Sequence, residues 1–167
     1  PPVGTTSTLT ENPSFAGSKT NVVIDTTPNP DELIINTISG ANPAGTYNFA
    51  NYIDTSSSRT ARITGITVFS RHQPTAGTWD NIVGDWDTWP DNFDGWTDEQ
   101  AAFNDTNVEI FVAATPDDPA SSPTYGPFTL ANGADVVGRA FKFKAELTST
   151  NTNVSPSISL LKATVEF

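Results

Sequence analysis

The chain has 167 residues, a formal net charge of −11, and neither cysteine nor methionine. A chain of this length can bury a core without disulfides, and the missing cysteines exclude a disulfide framework and thiolate metal sites. The negative charge argues against nucleic acid as a partner, because phosphate backbones are bound by clustered Lys and Arg. No apolar stretch is long enough to span a membrane and no signal peptide is visible, so we expect no membrane insertion. Since the chain begins Pro1-Pro2, we expect it to come from a longer polypeptide.

Two segments differ in composition. Residues 1–20 are rich in Thr, Ser, Pro and Gly and have few apolar side chains. This composition predicts a linker or an extended arm that lies on a neighbouring chain. Residues 21–167 instead alternate between apolar and polar side chains with a period of two, which is typical of half-buried strands. We therefore expect one β-sandwich domain over residues 21–167.

The alternation is clearest at residues 140–147, where Phe141, Phe143, Ala145 and Leu147 face one way. Shorter alternating runs include Ile66 with Val68, and clusters of Pro, Gly, Asn and Asp separate the strands as turns. The other predicted strands lie at residues 21–25, 32–38, 45–53, 59–71, 108–114, 124–130 and 163–167. About eight strands and almost no helical periodicity predict an all-β fold, a single antiparallel β-sandwich of jelly-roll type. One short helical turn is expected near residues 98–103.

The cationic residues are separated from most of the acidic ones. Six cations on or near the predicted strands are expected to share an outer sheet face, namely Arg59, Arg62, Arg71, Arg139, Lys142 and Lys144. They either face solvent and protect strands from edge pairing, or form a cationic strip that docks an acidic neighbour. Between His72 and Arg139 there is no Lys or Arg, whereas Asp and Glu are frequent. This interval predicts a self-repelling soluble surface or, alternatively, a surface for a cation or a cationic partner.

A long irregular segment, residues 77–106, holds all four tryptophans. Loops of this length in compact domains are usually functional or packed on themselves. Aspartates alternate with the aromatic residues and can cap nearby backbone N–H groups, which favours a self-packed loop. Flat rings beside carboxylates also suit a ligand platform or a protein interface. The candidate ligand- or partner-binding residues are Trp79, Trp86, Trp89, Phe93 and Trp96.

The sequence offers little for catalysis or metal binding. Asp85-Trp86-Asp87 begins a calcium-loop pattern, but Thr88-Trp89-Pro90 does not continue it, so we predict no metal site and no cofactor. His72 is the only histidine and no Gly-x-Ser-x-Gly motif occurs, which leaves no His-based metal triad and no recognisable serine nucleophile. A glycosidase needs two carboxylates at a fixed separation, and the acids here concentrate in an irregular loop. We therefore expect a protein that is not an enzyme.

Three stretches of the sequence are distinctive when taken together: RTARITG at 59–65, GTWDNIVGDWDTWPDNFDGWTDE in the tryptophan-rich loop, and GRAFKFKAELTSTNTNVSPSISLLKATVEF at 138–167. Together they resemble domains of the tail-tip or central-fibre (host-specificity) proteins of long-tailed bacteriophages. The closing run alone is also similar to the ends of galactose-binding-like jelly-roll modules. The resemblance covers roughly residues 45–167. It implies a virion protein of the distal tail, extracellular, assembled as a homotrimer with other phage tail proteins.

Function is then expected to reside in contact surfaces. The leading hypothesis is a non-enzymatic structural and adhesion domain that packs in a tail assembly and touches a host-surface glycan or an outer-membrane receptor. The alternative is a carbohydrate-binding module that uses exposed tryptophans of the 77–106 loop, with Trp86, Trp89 or Trp96 as the stacking platform. A glycan hydrolase is the third hypothesis.

Overall fold

The structure is a computed structural model that describes residues 4–27, 30–36, 44–72, 106–150 and 155–167. These residues contain no helix, and so none long and apolar enough to cross a membrane. They form ten strands: β1 (Thr6–Thr10), β2 (Ser18–Thr20), β3 (Val22–Asp25), β4 (Glu32–Ile35), β5 (Ala44–Asn48), β6 (Ile53–His72), β7 (Thr106–Thr115), β8 (Thr129–Leu130), β9 (Ala134–Ser149) and β10 (Ser155–Glu166).

All ten strands belong to one sheet, and its neighbouring strands pair antiparallel. The main order is β2-β5-β9-β6-β10-β4-β3, while β1 pairs with β10, β7 with β9, and β8 with β7. The predicted all-β, antiparallel fold class is therefore confirmed.

The sheet nearly closes on itself because its two end strands, β2 and β3, are consecutive in the chain. Only Asn21 separates them, at a φ of 55° in the left-handed region. β2 pairs with β5 and β3 pairs with β4, so the bend at Asn21 joins the two ends of the strand order. The backbone here is crowded: a Cβ on Gly45 would lie 2.7 Å from the Asn21 carbonyl oxygen. A residue without a side chain at position 45 is what permits this approach.

Long strands that change partners produce the curvature. β6 pairs first with β9 and then with β10, and its register with β9 shifts between Asp54 and Arg59. In β9 both Ala140 and Phe141 are fully buried, so the in–out alternation changes phase by one residue. At this point β9 leaves β6 and continues between β5 and β7. Bulges of this kind bend a sheet and re-aim its inner face.

One apolar core fills the inside of the sheet. The predicted inward set of β9 is confirmed: Phe141, Phe143, Ala145 and Leu147 are at most 2% exposed. In the second half of β9 the alternation therefore predicts burial correctly: the apolar residues face inward, and Lys142, Lys144 and Glu146 lie on the outer face. Other large buried side chains come from five strands and from the segment between β1 and β2: Phe15, Leu33, Ile35, Tyr47, Ile63, Val112, Ile158 and Leu161.

Side chains of β6 alternate between the two faces of the sheet, as predicted, but two of its apolar residues lie on the outer face and not on the inner one. Ile66 and Val68 share a face, as the alternation predicts, yet they are 42% and 52% exposed. Gly65 takes the inward position, and a Cβ there would lie 2.7 Å from Cβ of Ile110 on β7. The inner face therefore has room only for glycine at position 65. Because side chains alternate along a strand, Ile66 and Val68 then lie on the outer face.

The N-terminal segment, for which the sequence predicts a linker or an extended arm, adds strands to the same sheet. β1 lies along β10 from Thr6 opposite Glu166 to Thr10 opposite Lys162. Further on, Phe15 is fully buried and packs edge-on against Tyr47, with ring centroids 5.9 Å apart. Phe15 is therefore an anchor of this segment in the core, and the partly buried Leu9 packs against the same core.

Other predicted elements are changed or fall outside the described residues. The strand predicted at 124–130 shrinks to Thr129–Leu130, because Pro127 has no N–H for a ladder and Gly126 weakens a strand. The helical turn near 98–103, and the 77–106 loop up to residue 105, lie outside the described residues.

Candidate functional site

The five predicted site residues cannot be placed. Trp79, Trp86, Trp89, Phe93 and Trp96 all fall within residues 73–105, outside the described part of the chain. The described residues form a different candidate site, a cavity of about 540 Å³. Its size lies within the range that small-ligand pockets occupy.

This cavity, here called the aromatic pocket, lies where β5 leads into β6 and where the loop at residues 116–128 covers β9. Its floor belongs to the core, since the rings of Phe49 and Phe143 pack 5.6 Å apart and are nearly buried. Its rim is exposed: Tyr52 and Phe128 are 44% and 38% exposed. The other lining residues are Asn48, Ala50, Asn51, Pro119, Pro123, Tyr125 and Lys142. A second hollow among the described residues, about 340 Å³ beside Gly65, has no aromatic lining.

Hydrogen bonds within the 116–128 loop hold the pocket wall in one shape. Asp117 Oδ2 accepts from the backbone N–H of Thr124 at 3.1 Å, which ties the two sides of the loop together. Asp118 Oδ1 accepts from Ala120 N at 2.9 Å, and the Gly126 N–H donates to the Ala114 carbonyl of β7 at 2.9 Å. These aspartates act as local turn caps. The wall is therefore built before any ligand arrives.

Arg139 of β9 fastens the same loop to β6. Its guanidinium donates twice to Asp54, at 3.1 and 3.3 Å, and its third nitrogen lies 3.2 Å from Asp118 Oδ2. The hydrogen bonds from Arg139 and from the Ser56 N–H lower the pKa of Asp54. A two-pronged contact of this kind fixes geometry as well as charge. Between Asp54 and Arg59, β6 has four residues where β9 has only Arg139, so three extra residues at this junction displace the strand locally.

Aromatic rings of the chain cover several of the predicted outer cations. Lys142 Nζ lies 4.3 Å from the centroid of Tyr125, and Lys144 Nζ lies 4.8 Å from that of Phe128. Arg59 lies over Phe167 in the same way, at 5.2 Å. Cation–π contacts of this type attract by about 0.5–1 kcal/mol at exposed sites. The outer face of β9 is therefore partly an internal docking surface for the 116–128 loop.

The hydroxyl of Tyr125 is unusual among the polar groups of the pocket wall. Its oxygen is buried and has no hydrogen-bond partner among the described residues. Burial raises the pKa of Tyr125, and the nearby Tyr52 and Asp54 add to the shift. A buried polar group without a partner normally costs stability. The ring of Tyr125, by contrast, is held on one side by Lys142.

The sequence did contain a signal for this site. The run Ser121-Ser122-Pro123-Thr124-Tyr125-Gly126-Pro127-Phe128 combines turn residues with two aromatic rings. Proline and glycine at this density are typical of loops, and loops on a rigid scaffold commonly carry binding residues. The predicted strand at residues 124–130 assigned Tyr125 and Phe128 to the sheet, so this loop signal was missed. Tyr52 carried no such signal, because its distance from the loop is set by β6 and β9.

The described residues show no metal site, and the chain as a whole has no match among known proteins. Among the described residues, no group of three or more His, Asp or Glu side chains lies close enough together to hold a metal ion. No known protein family, no curated protein and no solved structure matches this chain. The site must therefore be interpreted from its own geometry.

Proposed function

We propose that this chain is a non-enzymatic structural and adhesion domain of the tail tip or central fibre of a long-tailed phage. It works in the distal tail of the virion, as a homotrimer with other tail proteins, and contacts the host surface. The resemblance of the three sequence stretches carries this proposal. One observation supports treating two of these stretches as a unit: RTARITG lies in β6 and the closing run spans β9 and β10, which are adjacent in the order β9-β6-β10. The tryptophan-rich stretch lies outside the described residues.

The proposal includes a jelly-roll, galactose-binding-like arrangement of the sheet. Its support is the antiparallel pairing of neighbouring described strands and the position of β1 beside β10. The two ends of the described chain then lie on adjacent strands, with Thr5 and Phe167 exchanging backbone hydrogen bonds of 2.7 and 2.9 Å.

The proposal assigns no catalytic group. An acid that protonates a glycosidic oxygen needs a raised pKa. Asp54, which does not line the aromatic pocket, is hydrogen-bonded to Arg139, and this contact lowers the pKa of Asp54. We therefore assign this carboxylate a structural role as the partner of Arg139.

The test joins oligomeric state with tryptophan accessibility. Light scattering on the eluted protein should give three times the 17.8 kDa chain mass. All four tryptophans lie in the 77–106 loop, so quenching of their fluorescence by iodide reports on that loop alone. A trimer with protected tryptophans is expected. A monomer whose tryptophans are all quenched would contradict the tail assembly and favour the tryptophan-platform module.

A further inference from the structure

The rings at the rim of the aromatic pocket are partly exposed, although Lys144 Nζ lies over one face of Phe128. Tyr52 and Phe128 are the two most exposed aromatic side chains of the described core and loops, at 44% and 38%. The aromatic residues beneath them, Phe49 and Phe143, are 8% and 2% exposed. Exposed rings above a filled floor offer a ligand flat apolar faces that it can cover without entering the core.

The lining of the aromatic pocket also contains polar groups. Asn51 is exposed beside Tyr52, and Lys142 lines the opposite wall. Asn48 donates its amide N–H to Ser18 at 3.2 Å, which leaves its amide oxygen as an acceptor. Amide and ammonium groups therefore supply both donors and acceptors in the same lining as the apolar ring faces. A ligand that fits must be apolar on one face and rich in hydroxyl groups at its edge.

The charge of the protein narrows the ligand class. The net charge of −11 disfavours polyanions, as does Asp54, whose charge acts on the lining residue Tyr125. Asp118 precedes the lining residue Pro119 and adds a further carboxylate beside the pocket. Arg139 is engaged by both of these aspartates, so it is not available to hold a phosphate. A neutral ring with several hydroxyl groups is not repelled by the negative charge and does not need Arg139 as a partner.

We propose that the aromatic pocket binds one neutral hexopyranose unit of a surface glycan. The C–H face of the sugar stacks on Tyr52 and Phe128, and its hydroxyls bond to Asn51, Asn48 and Lys142. The partly positive hydrogens of the sugar's C–H groups are attracted to the negative face of an aromatic ring. This inference rests on the proposed adhesion function and names its ligand; it uses residues distinct from the tryptophans of the 77–106 loop.

Preorganisation supports the assignment. The Asp117, Asp118 and Arg139 contacts hold the loop that carries Phe128, so little freedom is lost when a sugar binds. A rigid wall reduces the ordering cost that weakens most small-ligand sites. Because the hydroxyl oxygen of Tyr125 is buried, the ligand would meet the edge of that ring and not its oxygen.

The test begins with a glycan array of neutral and uronic-acid oligosaccharides, followed by titration with the methyl hexopyranoside of the best-bound sugar. Tyr52→Ala and Phe128→Ala should each weaken binding at least tenfold, whereas Tyr52→Phe keeps the ring and should stay within about threefold of the parent protein. Val137→Ser, an exposed apolar residue outside the pocket, is the matched surface control. Circular dichroism and the unfolding midpoint confirm that each variant is folded.

The outcomes separate this inference from the adhesion function. Neutral sugars bound by the parent and lost in both alanine variants support it, whether the protein is a trimer or a monomer. Absence of any bound neutral sugar, exclusive binding of uronic-acid glycans, or unchanged binding in both alanine variants overturns it. Loss of sugar binding in Trp86→Ala but in neither pocket variant would also overturn it and would move the site to the 77–106 loop.

Discussion

Two tyrosines of similar chemistry lie in contrasting surroundings. Tyr47, in the seam between β5 and the N-terminal segment, donates its hydroxyl to the buried Glu11 carboxylate at 2.5 Å and accepts from the Gly17 N–H at 2.8 Å. Tyr125, in the wall of the aromatic pocket, has a buried hydroxyl without a partner among the described residues. One region satisfies its polar groups internally and closes the sheet. The other leaves exposed rings and polar groups at a rim, which is what binding requires.

We therefore expect the seam to contribute more stability than the exposed rim of the pocket. Glu11 is 5% exposed, yet it receives two donors, Tyr47 Oη and the Ala50 N–H at 3.1 Å. A buried carboxylate is tolerated when its oxygens are hydrogen-bonded in this way. The pocket instead preserves a shape through turn caps and one guanidinium. This difference in stability between the seam and the pocket rim can be tested by matched substitutions.

The largest effect is expected from Phe15→Ala. Phe15 is fully buried against Tyr47, so its removal should lower the free energy of unfolding by about 3–5 kcal/mol. The matched variant Phe128→Ala removes the same atoms from a 38% exposed site and should cost clearly less. Urea denaturation of both variants measures the difference. Equal losses would show that the seam is no more important than the pocket rim, as a loosely attached arm would imply.

Tyr47→Phe should have an intermediate effect. It removes one of the two donors of Glu11, so we expect a loss of about 1–3 kcal/mol at neutral pH. Burial and the Glu11 hydrogen bond raise the pKa of Tyr47 above its ordinary value of 10.0. Because the folded state resists ionisation, this contribution is complete below pH 10 and is lost as the pH rises above it.

The pH dependence gives an independent measurement of the same contact. The parent protein should lose stability above pH 10 more steeply than Tyr47→Phe does, when unfolding midpoints are compared across that range. Tyr125 is present in both proteins, so its own alkaline titration cancels in the comparison. Parallel curves for the two proteins would show that Tyr47 ionises as readily in the folded chain as in the unfolded one.

The smallest effect is expected from Tyr125→Phe. Removing a buried hydroxyl that lacks a partner should change the free energy of unfolding by less than about 0.5 kcal/mol, or raise it slightly. The ring and its contact with Lys142 remain. A loss as large as that of Tyr47→Phe would mean that the hydroxyl is bonded in the folded protein, and the contrast between the two tyrosines would fail.

Sequence reasoning succeeded where one residue's surroundings follow from its neighbours in the chain. The alternation at 140–147 predicted the inward set of β9 because side chains on a strand must point to opposite faces. It was less informative at Ile66 and Val68, since the facing of β6 depends on the contact between Gly65 and Ile110, which are far apart in the sequence. The same limit applies to the pocket, whose Tyr52 and Phe128 come together only through strand pairing.

Composition and periodicity thus sufficed for the all-β class, the negative net charge and the lack of cysteine, because each depends on residue type or local order. The near-closure at Asn21, the use of Phe15 as a core anchor and the assembly of the aromatic pocket depended on the fold. Each of these requires two segments separated by tens of residues to meet, and the free energy that brings them together comes from burying the shared core.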